Sequence, residues 1–227
     1  MPRDSLRWSG FDRFDTKLDD VPMDAETALF YRERHSQKGI GTRKKLQRLG
    51  ARQVNQDFLD EICTIPSLVE LRLEVVSAHD LTPLKRLSNL RVLKIVNNSK
   101  VTDFSALIEI STLRGLYIEN AKNLNDFSFL SNAHHLVRLG LEGSMYRTCK
   151  LSSLEPLEGL RGLESLFMTS VSLKTKNLVG LAQCQNLMEL HCARFAPRSE
   201  FQKLRAAMPN LSCNWCDEYD LPNPTYL

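Results

Sequence analysis

The apolar residues of this 227-residue chain recur with a period of 22 to 27 residues. A leucine opens nearly the same phrase each time, at positions Leu68, Leu90, Leu113, Leu136, Leu163, Leu187 and Leu211. Successive leucines are 22, 23, 23, 27, 24 and 24 residues apart. A period in this range indicates one supersecondary unit stacked on itself, so that neighbouring units bury a continuous core.

Within each phrase, L-x-x-L-x-L, apolar residues alternate with others, as residues 71–73 and 139–141 illustrate. Alternation with period 2 predicts a β-strand with one buried and one solvent-facing side. Apolar residues also recur between the phrases at matched offsets, and the segments 103–107 and 126–130 are near copies of each other. Each unit is therefore predicted to hold one strand followed by a returning turn or short helix.

The phrase resembles the strand-bearing half of a leucine-rich repeat, and its length resembles the short repeat class of internalin-like bacterial proteins. The resemblance covers roughly residues 46–216. It implies an α/β fold, a leucine-rich repeat solenoid with a curved parallel β-sheet on the concave face and short helices or turns on the convex face. We expect an N-terminal helical cap over residues 1–45 and a C-terminal tail over residues 217–227.

One departure from the repeat pattern concerns the polar residue that usually follows the strand and hydrogen-bonds the turn. It survives as Asn98 alone, and the equivalent positions hold Val76, Ala121, Ser144, Val171 and Phe195. These turns must therefore satisfy their backbone groups in some other way.

Both ends of a solenoid need a cover, because each would otherwise expose a slice of the core. Asp24 predicts the start of a helix that runs to about His35, with Gly39 just beyond its end. Asn55 predicts the N-cap of a second helix, and Ser199 that of a third one near the C-terminus.

The composition is 42% hydrophobic and 25% charged, as in ordinary globular proteins. The first residues, Met-Pro-Arg-Asp, precede no apolar stretch typical of a signal peptide, and no run of 18 apolar residues occurs. The six cysteines have no disulfide-framework spacing. We therefore expect a cytoplasmic protein without membrane contact, and a monomer, with self-association through the N-terminal cap as the alternative.

Candidate chemistry is sparse. Cys213 and Cys216 form a C-x-x-C motif, but a redox or zinc role would need a βαβ context or a second cysteine or histidine pair. We expect Cys213 and Trp215 to point into the core of the closing strand. Neither a glycine-rich phosphate loop nor a hydrolase motif is present, so we expect no enzyme activity, cofactor or metal.

The solvent-facing residues of the strands form lateral rows across the concave sheet. The middle row is Arg72, Lys94, Tyr117, Gly140, Phe167 and His191. Tyr117 and Phe167, with Gly140 between them, predict a shallow notch walled by two exposed rings and flanked by Arg138, Glu119 and Glu142. Aromatic and arginine side chains at the centre of a patch are typical of binding hot spots, although isolated exposed aromatics are also common without a role.

The 27-residue unit carries its extra residues between positions 143 and 150. They predict a loop at the rim beside the notch, with Met145, Tyr146 and Arg147 as contact residues, because insertions in repeats often map to the binding face. The alternative is a neutral loop expansion, since added loop length costs little.

Eight cations and one acid stand between Arg32 and Arg52. One interpretation is a nucleic-acid patch formed by Arg43, Lys44, Lys45 and Arg48. The other is a solvated cap surface whose long side chains shield apolar atoms. The formal net charge of +3 and the lack of a nucleic-acid motif favour the second.

The resulting hypothesis is a non-enzymatic scaffold that grips a partner protein on its concave sheet. Solitary leucine-rich repeat proteins of this size resemble bacterial effector-binding or toxin-neutralising (immunity) proteins, which is the finer form of the hypothesis. The alternative is a nucleic-acid-associated protein that uses the basic cluster between positions 32 and 52.

Overall fold

The computed structural model describes residues 15–217, 219 and 220. Its strands are, in chain order, β1 (Thr27–Tyr31), β2 (Arg48–Arg52), β3 (Glu70–Val76), β4 (Val92–Asn98), β5 (Gly115–Glu119), β6 (Arg138–Glu142), β7 (Cys149–Leu151), β8 (Ser165–Met168), β9 (Val171–Leu173), β10 (Glu189–Cys192) and β11 (Ser212–Cys213). Nine of them form one sheet in the order β1-β2-β3-β4-β5-β6-β8-β10-β11, and β7 pairs with β9 in a small second sheet. All of these strand pairs are parallel.

The chain returns from each strand to the next through short helical segments. The α-helices are α1 (Gln56–Ile62), α2 (Arg198–Ala207) and α3 (Asn214–Asp217). Single 3-10 turns occupy Leu18–Asp20, Ile40–Thr42, Thr82–Arg86, Ser105–Leu107, Ser128–Asn132, Glu155–Leu157 and Val179–Gln183. A repeat of about 23 residues leaves little chain for the return, and the tighter 3-10 turn suits such a short piece.

The core lies between the sheet and these returning segments. The leucines that open the phrases are buried, as are the inward residues of the strands, and Leu71, Leu73, Leu93 and Ile95 have no exposed surface. The alternating burial along β3 and β10 is the pattern that the phrase predicts. One continuous apolar cluster extends from Val21 to Trp215.

An aspartate or asparagine side chain begins several of the 3-10 turns. Its carboxyl or amide oxygen accepts a hydrogen bond from the backbone N–H two residues further on, in the pairs Asp80–Thr82 (2.8 Å), Asp103–Ser105 (2.8 Å), Asp126–Ser128 (2.8 Å) and Asn177–Val179 (3.0 Å). The hydroxyl and N–H of Thr82 lower the pKa of Asp80, and the N–H and hydroxyl of Ser105 and of Ser128 lower the pKa values of Asp103 and Asp126. The near-copied segments 103–107 and 126–130 thus share a turn-starting device.

The backbone groups of the turns that follow the strands form hydrogen bonds with the neighbouring turns. A backbone N–H in one repeat donates to the carbonyl at the turn position of the repeat before it. These bonds join Ser77 N to Val54 O (2.8 Å), Ser99 N to Val76 O (3.0 Å) and Lys122 N to Asn98 O (2.8 Å). Asn98 adds a side-chain bond, because its Oδ1 accepts from Val101 N at 3.1 Å. Backbone pairing thus satisfies the turn carbonyls of Val54, Val76 and Asn98 whether or not an asparagine is present.

The helix predicted between Asp24 and His35 is wrong, because that segment holds β1. Ala28 and Phe30 alternate into the core, and β1 pairs with β2 along its whole length. The parallel sheet therefore reaches into the region that the sequence assigned to a helical cap. Gly39 does adopt a left-handed conformation, with φ of 88°, but it precedes a 3-10 turn rather than ending a helix.

The other two predicted helices are present. Asn55 caps α1, and its side chain accepts a hydrogen bond from Phe58 N at 3.1 Å. Ser199 is not the cap of α2, which begins at Arg198 after Pro197. Residues 1–14 and 221–227 lie outside the described part of the chain, and the longest described helix, α2, has 10 residues. No described helix has the length and apolar character of a membrane span.

The Arg43 side chain forms hydrogen bonds with the backbone at the N-terminal end of the solenoid. The side chain is only 8% exposed. Its Nε donates to the Val21 carbonyl at 2.8 Å, its Nη2 to the Leu18 carbonyl at 2.8 Å, and its Nη1 to the Thr42 hydroxyl at 2.8 Å. The guanidinium thus satisfies the backbone of the segment that leads into β1.

We predict that Arg43→Ala lowers the free energy of unfolding by about 2–4 kcal/mol, because one buried and one partly buried carbonyl lose a charged donor. Lys45→Ala is the matched control, since Lys45 is exposed and its truncation should change stability by less than about 0.5 kcal/mol. Urea unfolding followed by circular dichroism measures both. Equal midpoints for the two variants would contradict this structural role of Arg43.

Candidate functional site

The strand register places the solvent-facing residues in the lateral rows that the sequence predicts. Arg72 is opposite Lys94, Lys94 opposite Tyr117, Tyr117 opposite Gly140, and Gly140 opposite Phe167, which in turn pairs with His191. A second row contains Glu74, Val96, Glu119 and Glu142. Eight spacings of about 4.8 Å between the nine strands give a face about 38 Å long.

The predicted open notch between Tyr117 and Phe167 is wrong, because the Tyr117 ring fills it. Tyr117 is only 6% exposed. A Cβ atom at Gly140 would lie 2.9 Å from Tyr117 Cε1 and closer still to Cδ1, so the ring lies directly over the glycine. The ring buries more of its surface there than it would by standing upright between its neighbours. Burial raises the pKa of the Tyr117 hydroxyl, and the nearby Arg138 charge opposes this in part.

A ridge of stacked rings replaces the notch. The Tyr117 and Phe167 ring centroids are 6.1 Å apart, and Phe167 stacks on His191 with centroids 4.8 Å apart and planes 13° from parallel. Phe167 and His191 are half-buried, so their outer faces remain accessible to a partner. The two aromatics are thus neighbours, as the sequence predicts, but they belong to a continuous ridge of rings and leave no notch between them.

Acidic side chains on this face are already engaged by neighbouring groups. Ion pairs join Arg48 to Glu70 (2.8 Å), Lys94 to Glu119 (3.1 Å) and Arg72 to Glu74. Glu142 accepts a hydrogen bond from Thr169 Oγ1 at 2.5 Å, and Glu189 accepts one from Ser165 Oγ at 2.7 Å. The face is therefore organised by its own lateral contacts in the free protein.

The first two strands change the charge balance of the face. Sequence reasoning placed five acids and three fixed cations there, but β2 adds Arg48 and Arg52, so the described strands carry five of each. Sequence reasoning missed these two residues because it took the lateral rows only from the strand after Leu68 onward. The alternation of Leu49 and Ala51, both buried, is the signal that could have placed β2 in the sheet.

The loop between β6 and β7 is the most exposed apolar part of the described surface. Met145 is 91% exposed and Tyr146 is 94% exposed. The loop is nevertheless fixed at its base, where Ser144 Oγ accepts from Arg147 N at 3.0 Å and Arg147 Nη2 donates to the Lys122 carbonyl at 2.8 Å. The sequence predicts this loop at the rim, and it follows directly from Glu142 on the concave face.

A cleft of about 420 Å³ opens between this loop and the turn that follows β5. Its apolar lining comes from Ile118, Leu124, Phe127 and Leu141, and its polar lining includes Asn120, Glu142, Tyr146, Arg147 and Lys150. This volume is within the range of sites that hold a small ligand, and it exceeds the space that one large side chain needs. The cleft cannot be read from the sequence, because it depends on how the enlarged repeat diverges from its neighbour.

The basic cluster between positions 32 and 52 does not form one continuous patch. Arg43 is buried, so it cannot serve as the surface cation that the nucleic-acid interpretation requires. Lys44 Nζ donates to the Thr64 carbonyl at 2.7 Å, and Arg48 pairs with Glu70 on the concave face. Lys45 is exposed. The side chains therefore point to different surfaces.

This architecture is that of an internalin-like leucine-rich repeat solenoid, as the sequence predicts. No family model and no curated protein matches the sequence. Among solved structures, the chain is similar to an internalin, InlF, from Listeria monocytogenes, with a TM-score of 0.54 and 24% identity over 72% of this chain and 48% of that one. A leucine-rich repeat protein of Leptospira interrogans gives a TM-score of 0.61 and 19% identity over 83% of this chain and 48% of that one.

A third similar structure is the complex of Toll with Spätzle from Drosophila, with a TM-score of 0.55 and 12% identity. The match covers 74% of this chain and 23% of that one. This chain spans about half the length of the internalin and of the Leptospira protein. These likenesses confirm the leucine-rich repeat fold.

We predict that Gly140→Ala exposes Tyr117, because the added methyl group occupies the space of the ring. Nitration by tetranitromethane, mapped by peptide mass spectrometry, should then modify Tyr117 in this variant and not in the wild type. The free energy of unfolding should fall by about 1–3 kcal/mol.

Gly115→Ala is the matched control, because its Cβ would make an ordinary contact, 3.6 Å from Tyr117 Cε2. Tyr146, which is exposed, serves as the nitration reference in every sample. Equal protection of Tyr117 in all three proteins would contradict the close contact with Gly140.

Proposed function

We propose that this protein is a non-enzymatic scaffold that binds a partner protein through its concave sheet and the adjoining loop over residues 143–150. The proposed contact area extends from β3 to β10 and includes the ring ridge of Tyr117, Phe167 and His191. A face about 38 Å long is large enough for a standard interface of about 800 Å² per partner.

The exposure of Met145 and Tyr146 at the end of a fixed loop is the observation that carries this proposal. Covering two such side chains removes apolar surface from water, and each contributes to binding in proportion to the area buried. The hydrogen bonds of Ser144 and Arg147 hold the loop before a partner arrives. Binding then loses less conformational entropy than it would with a mobile loop.

The cleft beside Tyr146 supports the same location. A partner side chain that enters it would contact the apolar lining from Leu124, Phe127 and Leu141 while Arg147 and Lys150 remain near its polar end. Insertion of one side chain into a pocket surrounded by polar residues is the usual arrangement of a binding hot spot. The cleft therefore offers a site for one partner residue beside the two exposed loop residues.

The charged residues of the concave face form the polar part of the proposed interface. Because the ion pairs Arg72–Glu74 and Lys94–Glu119 exist in the free protein, a partner with complementary charges would meet side chains that are already ordered. The members of this set are Arg72, Lys94, Glu119, Arg138 and Glu142. The acids hold neighbouring side chains in place, which supports a binding role rather than a catalytic one.

The finer proposal is that the partner is a bacterial effector or toxin that this protein neutralises in the cytoplasm. A neutralising protein must hold its target tightly at low concentration, and a preorganised surface favours tight binding. The six free cysteines support a reducing compartment.

We predict that the double substitution of Met145→Ala and Tyr146→Ala weakens partner binding about 30-fold, which corresponds to about 2 kcal/mol. The fold should be unchanged, because neither side chain packs in the core. The measurement is quantitative capture from a lysate of the source organism on immobilised protein.

Met188→Ala is the matched control, since Met188 is also exposed, at 58%, but precedes β10 outside the proposed contact area. Its capture profile should equal that of the wild type. A partner that is retained by the loop variant and lost by Met188→Ala would contradict the proposed location.

The neutralising role has a separate test that uses the captured partner. We predict that this partner stops growth when it is produced alone in bacteria, and that co-production of the wild-type scaffold restores growth. The Met145→Ala, Tyr146→Ala variant should restore growth poorly. A harmless partner would contradict the neutralising role and leave the scaffold proposal standing.

A further inference from the structure

The C-terminal end of the solenoid brings together three cysteines that are separate in the sequence. Cys192 ends β10, Cys213 ends β11, and Cys216 lies in the helical turn α3. Cys213 and Trp215 are buried, as the sequence predicts, with exposures of 5% and 3%. The sequence does not show that Cys192, from the preceding repeat, joins the C-x-x-C motif.

The Cys213 thiol occupies the centre of this cluster. It lies beside the thiols of both Cys192 and Cys216. Two S–H donors facing one sulfur favour its thiolate, so the pKa of Cys213 is lowered, while the pKa values of the two donors are raised. The three groups thus share their protons, with negative charge favoured on Cys213.

Geometry decides which pair of sulfur atoms can form a bond. Leu190 is the register partner of Cys213, and Cys192 lies two residues further along β10. The Cα atoms of Cys192 and Cys213 are therefore about 8 Å apart. A disulfide needs Cα atoms within about 7 Å. Cys216 lies one helical turn from Cys213, which corresponds to about 5 Å between Cα atoms. Cys213 and Cys216 are therefore the pair that can bridge.

Access to the cluster is through one of its members. Cys192 and Cys213 are 2% and 5% exposed, whereas Cys216 is half-buried at the protein surface. The neighbouring Cys213 and burial raise the pKa of Cys216, and the Arg205 guanidinium opposes this in part. A small reagent therefore meets Cys216 first.

We propose that Cys213 and Cys216 form a reversible thiol–disulfide exchange site that reacts with small disulfides such as glutathione disulfide. The Cys216 proton passes to Cys213, and the Cys216 thiolate attacks the reagent, forming a mixed disulfide and releasing one glutathione thiolate. Cys213 then loses its proton to that thiolate and attacks the Cys216 sulfur. The protein disulfide forms and the second glutathione leaves, so two protein thiols are oxidised and one glutathione disulfide is reduced.

The residues around the pair connect it to the C-terminal cap. Trp215 lies between the two cysteines in sequence, and its Nε1 donates to the Cys192 carbonyl at 2.6 Å. The Arg194 guanidinium lies over the rings of Trp215 and Tyr219, 5.4 Å from each centroid. Bond formation between residues 213 and 216 therefore acts on the environment of Trp215, whose fluorescence provides a second readout.

The test incubates reduced protein in glutathione buffers of increasing disulfide content, followed by acid quenching, alkylation and peptide mass spectrometry. We expect the peptide with Cys213 and Cys216 to lose two hydrogen atoms and to contain no alkyl group. In a Trp8→Phe background, where Trp215 is the remaining tryptophan, the fluorescence should change at the same buffer ratio.

Cys149 is the internal control, because it is also half-buried but has no cysteine three residues away with which to form a bridge. It should need at least about tenfold more glutathione disulfide for oxidation. Cys213→Ser should stop the reaction at the mixed disulfide on Cys216, and Cys192→Ser should still form the bridge. A pair that oxidises no more readily than Cys149, or a bridge that requires Cys192, would overturn the proposal.

Discussion

Backbone hydrogen bonding between equivalent positions of consecutive repeats is the constraint on which this structure depends. It acts along the parallel strands and, in three of the repeats, again at the turns that follow them, where Ser77, Ser99 and Lys122 donate to the preceding repeat. Both sets require equivalent residues to lie side by side. Because the register is set in this way, each strand residue lies beside one defined residue of the next repeat.

Side-chain behaviour on the concave face follows from these neighbour relations more than from the residues themselves. Tyr117 lies flat because the next repeat supplies Gly140, and Lys94 pairs with Glu119 because the next strand presents a carboxylate within reach. A half-buried ion pair in a crowded row loses less side-chain entropy on forming than an isolated surface pair does, because neighbouring residues already limit its rotamers. The face is consequently a set of coupled contacts.

The alternation of apolar residues predicted the strands of the main sheet from β3 onward, the concave rows and the position of the loop, because these depend on period alone. It could not predict how far a ring would be buried, since that depends on the neighbouring repeat. The segment with Asp24 and Gly39 carries helix-boundary signals, which outweighed the shorter alternation of Ala28 and Phe30 and concealed β1. The cysteine cluster was hidden for a related reason, because Cys192 and Cys213 belong to different repeats.

The enlarged repeat shows how the solenoid accepts extra residues without loss of register. Strands β7 and β9 form their own pair beside the main sheet, with Cys149 opposite Val171 and Leu151 opposite Leu173. Backbone bonds from Gly143 and Cys149 to the Ser170 carbonyl close the base of the loop at 3.0 and 2.9 Å. The inserted residues are thereby confined to the tip, where Met145 and Tyr146 extend into solvent. Because the base is tied to the next repeat through Ser170, the loop keeps a fixed position relative to the main sheet.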